Sequence, residues 1–375
     1  MSTSIKILKG KILVYRVFDV GDDIDLEMAS RILEQSSSPL RFRLKRESRA
    51  MVIKNAPLLL SLGNWEHQFM GRTAQVESVG KLWHFGVFSI CFGITLPDEM
   101  PWNLLIDYAA FLENDTTLDQ MARQKTHDLM VQISSVIKNR NVIFDFFEDY
   151  VVHFFQTIEG VEKNAMEIFQ KANVHALILA DTKDRDTLSE QVKGPIEEST
   201  FQYTVNDLAV IDWNSALVIE PSGSMDVPDV IEFALCQLLE MRFYDDVLDD
   251  RLASLYDSIG KKKKGFMSNL YSHLAEEAGE KYLEISELIE NVENSMKVVG
   301  DFYLAKIFRS ALKRFRFRDW QVSVDNKLSN LAEVSKLLHG EVSETRSTIM
   351  ELIIIFLIAV EVVPLLWNVF QKMIS

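Results

Sequence analysis

Two acidic residues in an otherwise apolar C-terminal segment are the first candidates for chemistry. From Ile349 to Phe370 the chain reads IMELIIIFLIAVEVVPLLWNVF, with Glu351 near one edge and Glu361 near the middle. A carboxyl group at bilayer depth must be protonated, hydrogen-bonded or turned toward a polar interior. Glu351 and Glu361 are therefore predicted to make intramembrane or oligomer contacts. The alternative is a membrane assembly in which Glu361 conducts protons or ions.

A basic run interleaved with aromatic residues is the second candidate. It reads KRFRFRDW from Lys313 to Trp320 and is predicted to be the bend between two helices. Its cations could contact an anionic lipid surface, an oligomer neighbour or RNA phosphates, with the aromatic rings available for stacking. The other interpretation is a helix end whose Phe residues pack inward while its Arg residues point outward. The candidate contact residues are Lys313, Arg314, Arg316 and Arg318.

An enzymatic site would have to be assembled from dispersed residues. The candidates are Asp212, Glu232 and Asp245, which would need to converge in one pocket to act as acid and base. The segment 260–265 (GKKKKG) imitates a phosphate-binding loop, but Phe266 occupies the position where that chemistry needs a lysine. It is therefore predicted to be a solvated loop.

Composition excludes several classes of protein. The seven histidines are scattered singly, and Cys91 and Cys236 are far apart, so no metal and no cofactor are predicted. Two cysteines in 375 residues also exclude a disulfide scaffold and fit a reducing compartment. The net charge of −15 argues against DNA as a partner, because non-specific DNA binding needs a basic footprint.

The elements that must position these candidates are predicted to be α+β. Segments 12–18, 75–96 and 201–219 have strand patterns, and helices are predicted over 26–33, 118–137 and 228–258. Residues 174–179 are predicted to be a buried strand. Two strands, a Pro and a long helix occur twice, which favours a duplicated small α+β unit. The predicted domains are 1–140 and 141–260 for the two units, then 261–348 and 349–370.

The last two segments are predicted to be a helical hairpin or coiled-coil stalk and one transmembrane helix. Apolar residues recur at alternating steps of three and four, as in helices that pack through a narrow seam. They form one run from Ile285 to Tyr303 and another from Val324 to Ile349. The second run enters the apolar segment without a break.

The apolar segment is long enough to cross a bilayer as one helix. Its 22 residues would extend about 33 Å, and a hydrocarbon core is about 30 Å thick. The fourteen Leu, Ile, Val and Phe residues between Leu352 and Phe370 contribute about −4 to −8 kcal/mol, against about +3 kcal/mol for a central acid. Lys336 and Arg346 precede the helix and only Lys372 follows, so the bulk of the chain is predicted to be cytoplasmic.

Three motifs resemble the "required for meiotic nuclear division" family, a domain of unknown function. They are HFGVFSI at residues 84–90, VPDVIEFALCQL at 227–238 continuing to Asp245, and MELIIIFLIAVEV at 350–362. The resemblance implies a membrane-anchored homo-oligomer. For the mitochondrial members of that family, the implied role is to hold ribosomes near the membrane. No catalytic residues are attributed to that family.

Together these features predict a non-enzymatic, tail-anchored scaffold protein. The predicted partners are other copies of the chain, membrane lipid, and a protein or ribosome partner. The N-terminal sequence lacks the pattern of a transit peptide, which favours a bacterial inner membrane.

Overall fold

A computed structural model describes most of the chain. It covers residues 5–35, 56–69, 71–113, 115–140, 146–184, 187–260 and 301–374, with a few isolated positions between 261 and 300. The chain divides into two compact units. Unit 1 comprises residues 1–243 and 288–321, and unit 2 comprises residues 244–287 and 322–375.

Unit 1 is built on a large mixed sheet. The strands are β1 (Lys6–Asp19), β2 (Asp23–Ile24), β3 (Leu58–Phe69), β4 (Arg72–Leu82), β5 (Val87–Thr95), β6 (Met100–Pro101), β7 (Ile137–Lys138), β8 (Phe147–Glu159), β9 (Thr200–Phe201), β10 (Leu208–Ile211) and β11 (Ser215–Ile219). Nine of these described strands form one sheet in the order β3-β4-β5-β1-β8-β11-β10-β9, with β6 beside β1. Among the described pairs all are antiparallel except β8 with β11.

The sheet corrects the predicted division at residue 140. Strands β1 and β8 come from opposite sides of that boundary, yet they pair from Lys6↔Glu159 to Phe18↔Phe147. Both predicted α+β domains therefore contribute to one sheet, and the boundary does not separate two units. Pairing between segments this distant in sequence gives no local signal in a single chain.

The nine α-helices that the structure describes with defined bounds complete the mixed α+β architecture. They are α1 (Leu26–Gln35), α2 (Trp102–Glu113), α3 (Thr116–Ile133), α4 (Ile168–Lys171), α5 (Val174–Ile178), α6 (Glu190–Glu198), α7 (Asp226–Gly260), α8 (Phe302–Arg314) and α9 (Phe317–Ile374). The α+β class is confirmed, and the strands and helices predicted over 12–18, 26–33 and 228–258 are present.

Each face of the sheet is covered by its own core. Successive side chains of a strand point to opposite faces, and β1 is buried on both: Ile12 and Val14 join one core, whereas Leu13 and Tyr15 join the other. Helix α2 packs into the first core, and the part of α7 in unit 1 packs into the second. The order of two strands and a helix does recur, but its two helices cover opposite faces.

The segment 174–179 is a correction: it forms helix α5 and not a strand. The Asn173 side chain caps this helix by accepting a hydrogen bond from the backbone N–H of Ala176 (3.1 Å). Residues Val174 to Ile178 are all buried, so the run is apolar on every side and has no periodicity that distinguishes the two structures.

The C-terminal region is helical where it is described. Most of the predicted hairpin's first arm lies outside the described residues, including Ile285, Ile289, Val292, Met296 and Val299 of the first apolar run. In the second run Val324, Leu328, Leu331 and Ser335 are buried, as the seam pattern predicts. Helix α9 then continues through residue 374 without interruption. Within the described portion of the chain, none of the helices meets the length and apolarity needed to span a membrane.

Candidate functional site

The predicted bend is the turn between helix α8 and helix α9. Helix α8 ends at Arg314, and α9 begins at Phe317. Between them Arg316 has a φ of +55°, a left-handed conformation that L-residues seldom adopt and that cannot continue a right-handed helix. The prediction of a bend between Lys313 and Trp320 is therefore confirmed.

Arg314 is held inside the bend. Its guanidinium pairs with the carboxylate of Asp212, whose side chain is only 1% exposed. The same turn between β10 and β11 is fixed by Tyr150, whose single hydroxyl proton is shared between the carbonyls of Asp212 and Ser215 (2.8 and 2.7 Å). The buried carboxylate of Asp212 needs a cationic partner, and Arg314 supplies it. Arg314 is thus engaged within unit 1, unlike the outward-pointing cation that was predicted.

The other three predicted cations of the bend are exposed. Lys313 and Arg318 are open to solvent, and the 78% exposed Arg316 pairs with Asp319 (2.7 Å). Phe315 and Phe317 are buried. Except at Arg314, the structure matches the interpretation in which the Phe residues pack inward and the basic residues point outward.

A buried ionic cluster joins the beginning of α7 to the sheet. Asp229 and Glu232 are three residues apart and therefore lie on one face of the helix. Lys81 of β4 reaches both, with its Nζ 2.8 Å from Asp229 Oδ1 and 2.5 Å from Glu232 Oε2. Ser89, opposite Lys81 in the β4–β5 register, donates its hydroxyl to Glu232 Oε1 (2.5 Å). One ammonium is therefore shared by two carboxylates.

The charges of this cluster make it a poor source of nucleophilic chemistry. Burial alone would lower the pKa of Lys81, but Glu232 and Asp229 outweigh it and raise that pKa. Burial raises the pKa of Glu232 against the opposing effect of Lys81, and Asp229 adds to the rise. An amine nucleophile needs a lowered pKa, whereas Lys81 is held charged. The arrangement suits a structural link between α7 and the sheet.

Two of the sequence motifs meet at this cluster. Ser89 belongs to the motif at 84–90 and Glu232 to the motif at 227–238. Aromatic residues around this contact also pack, with the ring of Phe233 5.3 Å from that of Trp83, which precedes the first motif, and 6.5 Å from that of Phe85. The following Gly86 has a φ of +89°, and a Cβ there would overlap the carbonyl oxygen of Gly21. The first motif is therefore a tight turn that packs under α7.

The three carboxylates of the enzyme alternative each have a separate partner. Asp212 is bound by Arg314 and Glu232 by Lys81. Asp245 belongs to unit 2, where it accepts a hydrogen bond from Ser323 (2.6 Å) and pairs with Lys327 (2.8 Å). The structure therefore does not bring them together as one acid–base set.

Neither cysteine has the surroundings of a reactive thiol. Burial raises the pKa of Cys91, with Glu232 adding to the rise, and burial likewise raises the pKa of Cys236. The nucleophile and metal ligand is the thiolate, which these environments disfavour. Across the described part of the chain, no three His, Cys, Asp or Glu residues are grouped so as to hold a metal ion.

The apolar stretch of α9 is exposed on every side of the helix. Between Met350 and Val363 the described large apolar side chains are 42% to 66% exposed, and Glu351 among them is also exposed. Over these roughly four described turns of helix, no apolar stripe is buried on one side, as it would be in a helix packed against a core. The side chains of Glu361 and residues 364–370 lie outside the described residues.

Sequence reasoning did not identify Lys81 as a partner of the α7 carboxylates. The available signal was a lysine beside Leu82 and Trp83 in a strand whose neighbours are apolar. The spacing of Asp229 and Glu232 gave a second signal, because it placed two acids on the apolar face of α7. Only the pairing of β4 with β5 and the packing of α7 connect these signals.

Comparison with known proteins gives a family without an assigned activity. A distant relative is 19% identical over 262 residues, covering 70% of this chain and 78% of its own. It is described as uncharacterized protein MJ0711 of Methanocaldococcus jannaschii. No solved structure matches. These comparisons do not show the meiotic nuclear division family.

The family match covers the sheet of unit 1 almost completely. It extends over residues 9–226, from β1 to the first residue of α7. More than half of the chain is therefore included, and the chain belongs to the family described as the N-terminal domain of uncharacterized protein MJ0711.

Proposed function

We propose that the protein is a non-enzymatic scaffold that is attached to a membrane by residues 349–370 and associates with copies of itself. The observation that carries the proposal is the exposure of Leu352 to Ile358, seven consecutive residues with large apolar side chains that are each 52% to 66% exposed. Contiguous exposed apolar surface of this kind marks a membrane or protein interaction site. The resemblance to the meiotic nuclear division family implies the same arrangement.

A bilayer is the occupant that best fits this surface. A partner protein on one side of α9 would cover only the side chains facing it, whereas hydrocarbon covers a helix all around. The backbone hydrogen bonds are satisfied within the helix, so the segment exposes few polar groups besides its two acids. Residues Pro364 to Phe370 are included in the proposed membrane segment on the basis of their sequence alone.

Membrane attachment can be tested with two substitutions in the exposed segment. Ile354→Asp and Ile358→Asp together cost about 5 to 7 kcal/mol at the centre of a membrane helix, enough to reverse the favourable balance of the wild-type segment. Leu337→Asp is the matched control, because Leu337 is 63% exposed on the same helix but precedes the apolar segment.

The assay is flotation of the full chain with neutral phosphatidylcholine vesicles, followed by alkaline extraction. The wild type and Leu337→Asp should float and resist extraction, whereas the double variant should remain in the aqueous fraction. Extraction of the wild type under alkaline conditions would overturn the proposal. Flotation of the double variant to the same extent as the wild type would also overturn the proposal.

Self-association is proposed to place Glu361 inside a helix bundle. Interhelical hydrogen bonds in membranes contribute only about 0.6 to 2 kcal/mol each, but a ring of several copies adds them together. Glu361→Gln should preserve the assembly because an amide still donates and accepts, and Glu361→Leu should loosen it. Light scattering in detergent would measure the mass, and a monomeric wild type would contradict this part of the proposal.

A further inference from the structure

Helix α8 has one buried face and one exposed face of uniform charge. Leu304, Ile307, Phe308 and Ala311 are buried in the second core of unit 1. At 100° per residue, the exposed Phe302, Lys306, Arg309 and Lys313 lie within an arc of about 60° on the opposite face. They extend over about 16 Å of helix. These four residues are called the basic face.

The basic face differs from the rest of the protein in its charge. The chain as a whole carries a net charge of −15, yet α8 contains no Asp or Glu between Phe302 and Arg314. Among the described residues, Lys306, Arg309 and Lys313 have no ion-pair partner. Lys306 lies 5.5 Å from the centre of the Phe201 ring, but no carboxylate of the described residues neutralises the three cations, so the row attracts anions on a chain of net negative charge.

The aromatic residue of the basic face has no role in the core. Phe302 is 80% exposed, the highest exposure among the large apolar residues described. The preceding Asp301 caps the helix by accepting from the backbone N–H of Leu304 (2.9 Å), so this end is well formed. An exposed aromatic ring beside a row of cations is typical of helices that lie on anionic bilayers.

We infer that the basic face of α8 binds the anionic headgroups of a phospholipid surface. This inference rests on the proposed function, because a protein attached to a membrane has a phospholipid surface available to it. Each cation contributes about 1 kcal/mol of attraction near an anionic surface, so three cations give measurable binding. A row on one exposed helix face suits a flat surface better than a single strand of nucleic acid, which is bound along a groove.

The experiment removes the anchor so that the basic face is tested separately. The full chain carrying Ile354→Asp and Ile358→Asp is mixed with phosphatidylcholine vesicles that contain or lack phosphatidylserine, and sedimentation gives the affinity at low and high salt. The inference predicts binding only with phosphatidylserine and only at low salt. Replacing Lys306, Arg309 and Lys313 by Gln should weaken it about 100-fold.

The matched control removes the same charge elsewhere in unit 1. Arg72, Lys163 and Lys183 are exposed, and their replacement by Gln should leave the affinity within about threefold of the parent. Equal weakening by the two triple variants would overturn the inference, and so would absence of binding to phosphatidylserine vesicles at low salt. Binding of a single-stranded oligonucleotide without vesicle binding would instead assign the basic face to nucleic acid.

Failure here is distinguishable from failure of the proposed function. Attachment of the wild type to neutral vesicles tests the anchor without any contribution from anionic lipid. A wild type that inserts while the basic face binds nothing would retain the scaffold proposal and discard this inference.

Discussion

Replacement of His153 should flatten the pH dependence of the stability of unit 1. His153 lies in β8 between Ile12 of β1 and Leu217 of β11, and its side chain is buried at 1% exposure. Its Nδ1 has no hydrogen-bond partner among the described residues. Burial lowers its pKa from the usual 6.5 to about 3, because the imidazolium form would lose its hydration.

The sign of this pH dependence follows from the direction of the pKa shift of His153, and its size follows from the pH interval. The unfolded chain binds a proton at His153 as the pH falls below about 6.5, whereas the folded chain does not until about pH 3. Stability is therefore fully present above the first value and falls by about 1.4 kcal/mol per pH unit below it. Between about pH 6.5 and about pH 4.5, His153 should account for a loss of about 2 kcal/mol, because the unfolded chain is already half protonated there at the upper value.

The assay is denaturant unfolding of the full chain in detergent at a series of pH values, followed by tryptophan fluorescence. His153→Leu removes the titrating group, so the difference in unfolding free energy between wild type and variant should change by about 2 kcal/mol over that range. His127→Leu is the control, because His127 is exposed on α3. Parallel curves for wild type and His153→Leu would refute the reasoning.

Two further substitutions test the packing under α7. Lys81→Met should lower the free energy of unfolding by about 3 to 5 kcal/mol, because it leaves the buried Glu232 and the half-buried Asp229 without their cation. The same denaturant assay would measure the loss, and a change below about 1 kcal/mol would contradict the shared ammonium. Gly86→Ala should destabilise unit 1 by about 3 kcal/mol or more, because its Cβ meets the Gly21 carbonyl at a positive φ. A thermal unfolding temperature close to that of the wild type would show that this turn can relax.

Elements with a strong local signal could be predicted from the sequence. Strand β1 follows from an apolar run with alternating faces, and α7 begins where Asp226 and Pro228 favour a helix start. The seam of α9 from Val324 to Ser335 follows from its period. Each of these depends on residues that are neighbours along the chain.

Relations between distant segments could not be predicted in the same way. Nothing near β1 indicates that β8 will be its neighbour, and nothing near β8 indicates that β11 will pair with it in parallel. For the same reason Asp212 and Arg314 were assigned to different candidate sites, although they form one ion pair. Lys81 was not identified because its partners are about 150 residues away.

The exposed cations were predicted only in part. The run at 313–318 drew attention because its charges are consecutive, whereas Lys306 and Arg309 are separated by apolar residues. Helical geometry aligns them with Lys313, and packing of the opposite face leaves them exposed. A helix-face count over 302–314 would have identified this row without the structure.

The most direct test of membrane attachment is the depth of the apolar segment of α9. A nitroxide label would be placed in the full chain at Ile355, Leu357 or Ile358, with Leu337 as the reference position, in neutral phosphatidylcholine vesicles. We predict that labels at the first three positions collide with dissolved oxygen and are protected from a water-soluble nickel complex, whereas the Leu337 label is open to nickel. Equal access of nickel at all four positions would contradict it.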